Sequence, residues 1–103
     1  MDTGLKGKTV LITGASRNMG RLAALAFARE FAEHEITANC IGPGTIDVER
    51  DAFQKSKPLK PGQPIRRLGK PQEVVSLMVY LASENAGFIT GQCYLVNGGM
   101  YFQ

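Results

Sequence analysis

Tryptophan is absent from the 103 residues, histidine occurs once and cysteine twice. Each scarcity removes a class of function. His34 stands alone, with no ligand-spaced partners. It therefore reads as a surface or helix-end histidine and not as part of a metal site. Cys40 and Cys93 sit in separate apolar runs with no C-x-x-C spacing. They read as buried reduced thiols of a cytoplasmic protein. No apolar run approaches the ~20 residues needed to cross a bilayer, and no secretory leader pattern is visible. Repeats and low-complexity tracts are also missing. With 44% hydrophobic residues in this length, one core can form and two cannot, so residues 1–103 are expected to make a single domain.

One sign of charge is missing from a whole segment. Residues 55–70 carry Lys55, Lys57, Lys60, Arg66, Arg67 and Lys70 with no Asp or Glu, and most of the net charge of +3 comes from them. Pro58, Pro61, Gly62 and Pro64 make this stretch a loop, read first as a solvated, mobile one. An anion-attracting lid is the functional alternative. No aromatic side chains interleave with the charges, which argues against a single-stranded nucleic-acid platform.

What the chain does contain begins at its N-terminal end. Residues 9–12, Thr-Val-Leu-Ile, form a short apolar run that predicts a buried parallel strand over 9–13. A turn through Gly14 to Gly20 follows, and then a helix is predicted over about 18–34. Gly14 allows a tight turn and close approach of a ligand to the backbone. The free N–H groups and dipole of the helix start suit a phosphate. The helix is Ala-rich, with Leu22, Leu25, Phe27 and Phe31 spread around it, and so it expects cover on most sides. A second strand is predicted over 36–41, ended by Gly42-Pro43-Gly44. Residues 45–54 suit a short helix. Pro71 suits the first turn of a helix running to Ser83, with Val74, Leu77, Met78, Leu81 and Ala82 on one stripe. Asn85-Ala86-Gly87 reads as that helix's C-cap and turn. A last strand is predicted over 92–96. The sum is an α/β chain with about three parallel strands, flanking helices and right-handed crossovers.

The segment Thr13-Gly14-Ala15-Ser16-Arg17-Asn18-Met19-Gly20 resembles the TGxxxGxG signature of the short-chain dehydrogenases/reductases. Asn18 stands where that family usually has Gly, and Asn is the residue that best tolerates the same backbone region. Three further stretches resemble the family in its order. Asn39-Cys40-Ile41-Gly42-Pro43-Gly44 is similar to its sixth strand and following Pro-Gly. Residues 67–73, Arg-Leu-Gly-Lys-Pro-Gln-Glu, are similar to the start of its last long helix. Residues 89–99 are similar to its seventh strand and terminal Gly-Gly, with Asn97 where Asp is common. The nearest likeness is to the 3-oxoacyl-acyl-carrier-protein reductase branch.

The resemblance implies a truncated Rossmann-like fold and a nicotinamide dinucleotide as cofactor. It implies Gly14, Ser16, Arg17, Asn18, Met19 and Gly20 as the pyrophosphate turn. Pro43, Gly44, Thr45 and Ile46 would be the loop against the nicotinamide, with the Ile46 backbone holding the carboxamide. Arg17 favours NADP, whose 2′-phosphate it can pair, with NAD the alternative. Val48 replaces a common Thr contact. The basic loop becomes a candidate dock for an acidic acyl carrier protein. Residues 71–83, 92–96 and 100–103 resemble the family's oligomer surface, so a homo-oligomer or docking onto a full-length relative is implied.

The family's chemistry is what the chain lacks. Its proton donor is a Tyr with a Lys four residues later. Here Glu84 follows Tyr80 at that spacing, Gly98 follows Tyr94, and Tyr101 has no such successor. Tyr must donate a proton to a developing alkoxide, and a nearby cation must lower its pKa for that. The catalytic Ser is missing too, so no catalytic residue is assigned. Residues 1–30 fit the family's first strand and helix, and 31–103 fit its C-terminal part. The seam falls near 28–31, as an internal in-frame deletion would leave it. In the family two strands lie between the first and the sixth. Here strand 36–41 must pair directly with strand 9–13, or the sheet has a gap. Exposed apolar faces and marginal stability are expected. Two function classes follow: an NADP-dependent 3-oxoacyl-type reductase by descent whose present form lacks catalysis, or a non-catalytic nucleotide-binding or subunit-interaction remnant.

Overall fold

A computed structural model describes residues 7–13, 17–48 and 58–101. Strand β1 spans Thr9–Thr13, helix α1 Arg17–Phe31, strand β2 Thr37–Pro43, helix α2 Pro71–Ala82 and strand β3 Cys93–Val96. Short 3-10 turns at Ala32–His34 and Glu84–Ala86 follow the two helices. The strands form one parallel sheet in the order β1-β2-β3. Thr9 pairs with Thr37 and Thr13 with Ile41, so the sheet closes by direct pairing and has no gap.

Two helices on opposite faces explain the unusual burial of β2. Its first five residues, Thr37 to Ile41, are all buried, as expected for the central strand of a covered parallel sheet. One face belongs to α2. There Ile41, Val74, Leu81 and Ala86 form the buried core, and Leu11, Leu77, Met78, Ile89, Tyr94 and Val96 pack around it. Ile41 and Leu81 are fully enclosed. Each contributes about 1.5–3 kcal/mol of hydrophobic stabilisation relative to exposure. The other face belongs to α1 and is lined by small residues. A Cβ built on Gly20 would stand 2.8 Å from the Cys40 sulfur, and one on Gly91 would stand 3.4 Å from Ala28. Ala24, Ala28 and Ala38 complete this close contact.

The small-residue contact has a consequence for α1. The helix buries its alanines and turns Met19 (67% exposed), Leu22 (61%) and Phe27 (41%) outward. Phe27 and Phe31 rest on each other with ring centroids 5.6 Å apart. The outer side of α2 exposes Val75, Val79 and Tyr80, and Phe88 is fully exposed beyond it. The expected bare apolar faces are therefore present.

Local signals explain the helix ends. Pro71 opens α2, and the Glu73 carboxylate accepts the Lys70 backbone N–H at 2.9 Å, satisfying one donor that the helix start leaves over. Ser83 caps its end, and its hydroxyl donates to the Tyr80 carbonyl at 2.6 Å. The segment after it corrects the reading of Asn85-Ala86-Gly87 as the α2 cap. It is a separate 3-10 turn, and Gly87 has φ −63°, so the left-handed freedom of glycine is not used. Glu35, after α1 and its 3-10 turn, does adopt φ +60° and sends its N–H to the Ala32 carbonyl. Two other expectations change. The second strand runs through Gly42 and Pro43, because the Pro43 position still pairs with Val96. Residues 45–48 are not helical. Ile46 makes a parallel bridge to Gly69 instead, and the remainder of 45–54 lies outside the described residues.

Candidate functional site

All three strands are parallel, so their carboxyl ends share one edge of the sheet. Ligands of open α/β sheets bind in crevices along such an edge. From β1 the chain leaves at Thr13 toward the N-terminus of α1. From β2 it leaves at Pro43 into Gly44, Thr45 and Ile46. From β3 it leaves at Val96 into Asn97, Gly98 and Gly99.

The first of these exits holds the predicted phosphate turn. Gly14 and Ser16 lie outside the described residues. Arg17 and Asn18 open α1, and their side chains are likewise outside what is described. Met19 points to solvent at 67% exposure. Gly20 is buried, and its role is now physical: any side chain there would strike Cys40, so glycine is what lets α1 sit close on β2. That is the task of the third glycine in a dinucleotide-binding turn.

The second and third exits are locked together. The Gly44 N–H donates to the Val96 carbonyl at 2.8 Å. A Cβ on Gly44 would lie 2.7 Å from the Asn97 Cα, so only glycine allows this approach. Thr45 is buried. Its carbonyl accepts the Gly69 N–H at 3.0 Å, and the Asp47 N–H donates to the Gly69 carbonyl at 2.8 Å. Neither bridge bond uses the Ile46 N–H, while the Ile46 carbonyl already accepts the Val48 N–H at 3.0 Å. The Asn97 carboxamide oxygen accepts the Gly99 N–H at 3.0 Å, and its amide donates to the Tyr101 carbonyl at 3.1 Å. Asn97 thus shapes the glycine turn that follows it.

A residue that the sequence did not single out organises this end of the sheet. Gln63 is only 3% exposed. Its amide donates to the Ile65 carbonyl at 2.7 Å and the Arg67 carbonyl at 2.8 Å. Gly98, at φ +63°, packs directly against it. Nothing in a Pro- and Gly-rich basic loop separates a buried glutamine from an exposed one. Over its described part, 58–70, the loop is mostly exposed and makes several bonds of its own. The Arg66 guanidinium donates to the Lys60 and Gln63 carbonyls at 3.2 and 3.4 Å. Arg67 makes a two-pronged ion pair with Glu73 at 2.6 and 3.0 Å. The Arg67 bond, and then the Lys70 N–H, pull the Glu73 carboxyl down to about 2. Lys60 lies 5.9 Å above the Tyr101 ring.

Between these parts is a pocket of about 50 Å³, lined by Thr45, Ile46, Gln63, Arg67, Val96 and Asn97 among others. Typical ligand pockets are about 300–1,000 Å³. This one has room for water and a small group. Among the described residues no cluster of His, Cys, Asp or Glu could hold a metal ion, and no helix is long and apolar enough to cross a membrane. His34 ends the 3-10 turn after α1, with its side chain 57% exposed and 3.4 Å from Glu33. Cys40 is buried and Cys93 half-buried, and both are free thiols.

Parallel strands, a glycine-dependent first helix and loops gathered at the carboxyl edge define the class: an α/β domain of the dinucleotide-binding type. The chain belongs to the short-chain dehydrogenase/reductase family. Residues 8–101 match the family model described as enoyl-(acyl carrier protein) reductase. An acetoacetyl-CoA reductase of Rhizobium meliloti is 40% identical over 104 residues, which take in 96% of this chain and 43% of the relative. A 3-oxoacyl-acyl-carrier-protein reductase of Pseudomonas aeruginosa is 39% identical over 79 residues, or 74% of this chain and 32% of its own length. A Serratia marcescens short-chain dehydrogenase/reductase variant of known structure aligns at a TM-score of 0.79 and 28% identity, covering 91% of this chain and 46% of that one. The chain therefore spans less than half the length of these relatives.

Proposed function

We propose that this chain descends from an NADP-dependent carbonyl reductase of 3-oxoacyl-type substrates and, in its present form, does not catalyse hydride transfer. The observation that carries this reading is the direct pairing of β1 with β2. In the family pattern that the sequence resembles, two strands separate these neighbours. Three strand spacings hold the pyrophosphate turn and the nicotinamide loop about 14 Å apart there, against one spacing of ~4.8 Å here. A dinucleotide that extends from one loop to the other does not fit that shortened edge. Sequence adds that no Tyr-x-x-x-Lys pair is available to protonate an alkoxide. The seam at 28–31 belongs to the same reading, as the trace of a missing middle, in a cytoplasmic protein.

A subunit-interaction remnant is the second reading. Val75, Val79 and Tyr80 on the outer side of α2, with Phe88 beyond, favour it. That surface would dock on a full-length relative or a second copy. Acyl carrier protein remains the partner implied for the basic loop.

NADPH fluorescence titration of the purified chain, beside a Gly14→Val variant and a turnover assay with acetoacetyl-CoA, tests the proposal. Weak or no saturable binding and no NADPH oxidation are expected. Turnover by material of the correct intact mass would overturn the non-catalytic reading. Tight binding abolished by Gly14→Val would overturn the argument from the shortened edge.

A further inference from the structure

The two cysteines, separated by more than half the chain in sequence, are direct partners in the sheet. Cys40 on β2 is in register with Cys93 on β3. Register partners on parallel strands project to the same face, here the face covered by α1. Adjacent strands lie ~4.8 Å apart, inside the Cα separation of about 4.4–6.8 Å that disulfides span. Register sets the two side chains next to each other on that face. Burial first, then the neighbouring Cys93 thiol, push the Cys40 pKa up to about 11. Cys40 is 3% exposed, whereas Cys93, on the edge strand, is half-buried.

We propose that Cys40 and Cys93 are an oxidation site that closes into a reversible intrachain disulfide when the protein meets a peroxide. The Cys93 sulfur attacks one peroxide oxygen. The O–O bond breaks, Cys93 becomes a sulfenic acid, and the first water leaves. The Cys40 sulfur then attacks the Cys93 sulfur and the S–O bond breaks. The hydroxyl departs as a second water with the Cys40 proton. Two thiols are oxidised and one peroxide is reduced to two waters. A small thiol reverses the reaction by exchange. The new bond would lie beneath the first turns of α1, since the Cys40 sulfur is the atom that holds Gly20 to glycine. This inference does not depend on cofactor binding.

The test is hydrogen peroxide treatment of the reduced full chain, followed by non-reducing intact mass, thiol titration and tryptic mapping. The monomer should lose the mass of two hydrogens, and titratable thiols should fall from two to none. Peptides 30–50 and 68–103 should be recovered joined, and dithiothreitol should restore both thiols. In a Cys93→Ser variant Cys40 should keep its thiol under the same exposure. If that variant does not fold, the peptide map of the unsubstituted chain decides alone. Thiols that stay free, oxygen uptake without a link, or links only between two chains would each overturn the proposal.

Discussion

Asn39 is fully buried in the central strand, and its carboxamide joins two elements. Its amide donates to the Ile89 carbonyl at 3.1 Å, and its oxygen accepts the Gln92 N–H at 3.1 Å. These bonds hold the turn before β3 against β2, so Asn39→Asp probes the sheet directly. A protonated Asp can reproduce both: its hydroxyl donates to Ile89 and its other oxygen accepts from Gln92. An ionised Asp cannot donate and is stripped of water. The folded state therefore raises the carboxyl pKa, by up to about 3–5 units at full burial. Stability then falls as pH rises above the unfolded value of about 3.9, because the folded form holds the proton longer. At ~1.36 kcal/mol per unit, the loss grows with each pH unit above that value and reaches about 4 kcal/mol near neutrality. Domains of this size have about 5–15 kcal/mol in all. Urea unfolding followed by far-ultraviolet circular dichroism, at about pH 4 and about pH 8, should find the variant near the parent chain in acid and largely unfolded in base. Equal stability at both values would refute the two-bond arrangement and the burial of Asn39.

Two smaller tests address the carboxyl edge. Gly44→Ala should cost about 1–3 kcal/mol through overpacking, because its Cβ meets Asn97 backbone at 2.7 Å. Gly87→Ala, at φ −63° with its nearest contact at 3.3 Å, should be tolerated, and equal midpoints for the two variants would sink the close-approach argument. The Glu73 carboxyl is held down to about 2 by Arg67 and the Lys70 N–H. Its contribution is present above its ordinary value near 4.5 and is lost as pH falls toward about 2. The difference in denaturation midpoint between the parent chain and Glu73→Gln should therefore shrink over that acid window and stay level above it. A difference that stays constant down to the lowest pH would disprove the ion pair's role.

The elements were largely legible because each has a strong local cause. The apolar run at residues 9–13 coincides with β1. Pro71 and the stripe through Val74 and Leu81 mark α2, although Ala82 on that stripe is exposed. Long-range matters were not legible. Which strand neighbours β1 depends on what the chain omits, and it is decided by satisfaction of backbone bonds across 28 residues of separation. Gln63 and Asn39 earn their burial from partners at Ile65, Arg67, Ile89 and Gln92, and no period or motif announces such pairings. Residues 45–48, with β-branched Thr45, Ile46 and Val48, are poor helix formers, and Ile46 bridges to Gly69 instead. At the phosphate turn, sequence says more than the described structure, which begins again only at Arg17.

The disposition of α1 ties these observations together. A helix with large apolar residues around its circumference would ordinarily press the largest of them into the core. Here Ala24 and Ala28 face the sheet, while Met19, Leu22 and Phe27 face outward. The glycine and alanine stripe is narrow enough for the approach that Cys40 and Gly91 set. Among the described residues, large side chains on the outer faces therefore have no layer to enter, since three strands give each helix one sheet face. Direct β1–β2 pairing satisfies the backbone but cannot supply that missing layer. Stability in this fold rests on a narrow base: the α2-side core around Ile41 and Leu81, and the bonds of Asn39. That is why a single buried charge at position 39 is expected to unfold it, whereas substitutions on the outward face of α1 are expected to cost little.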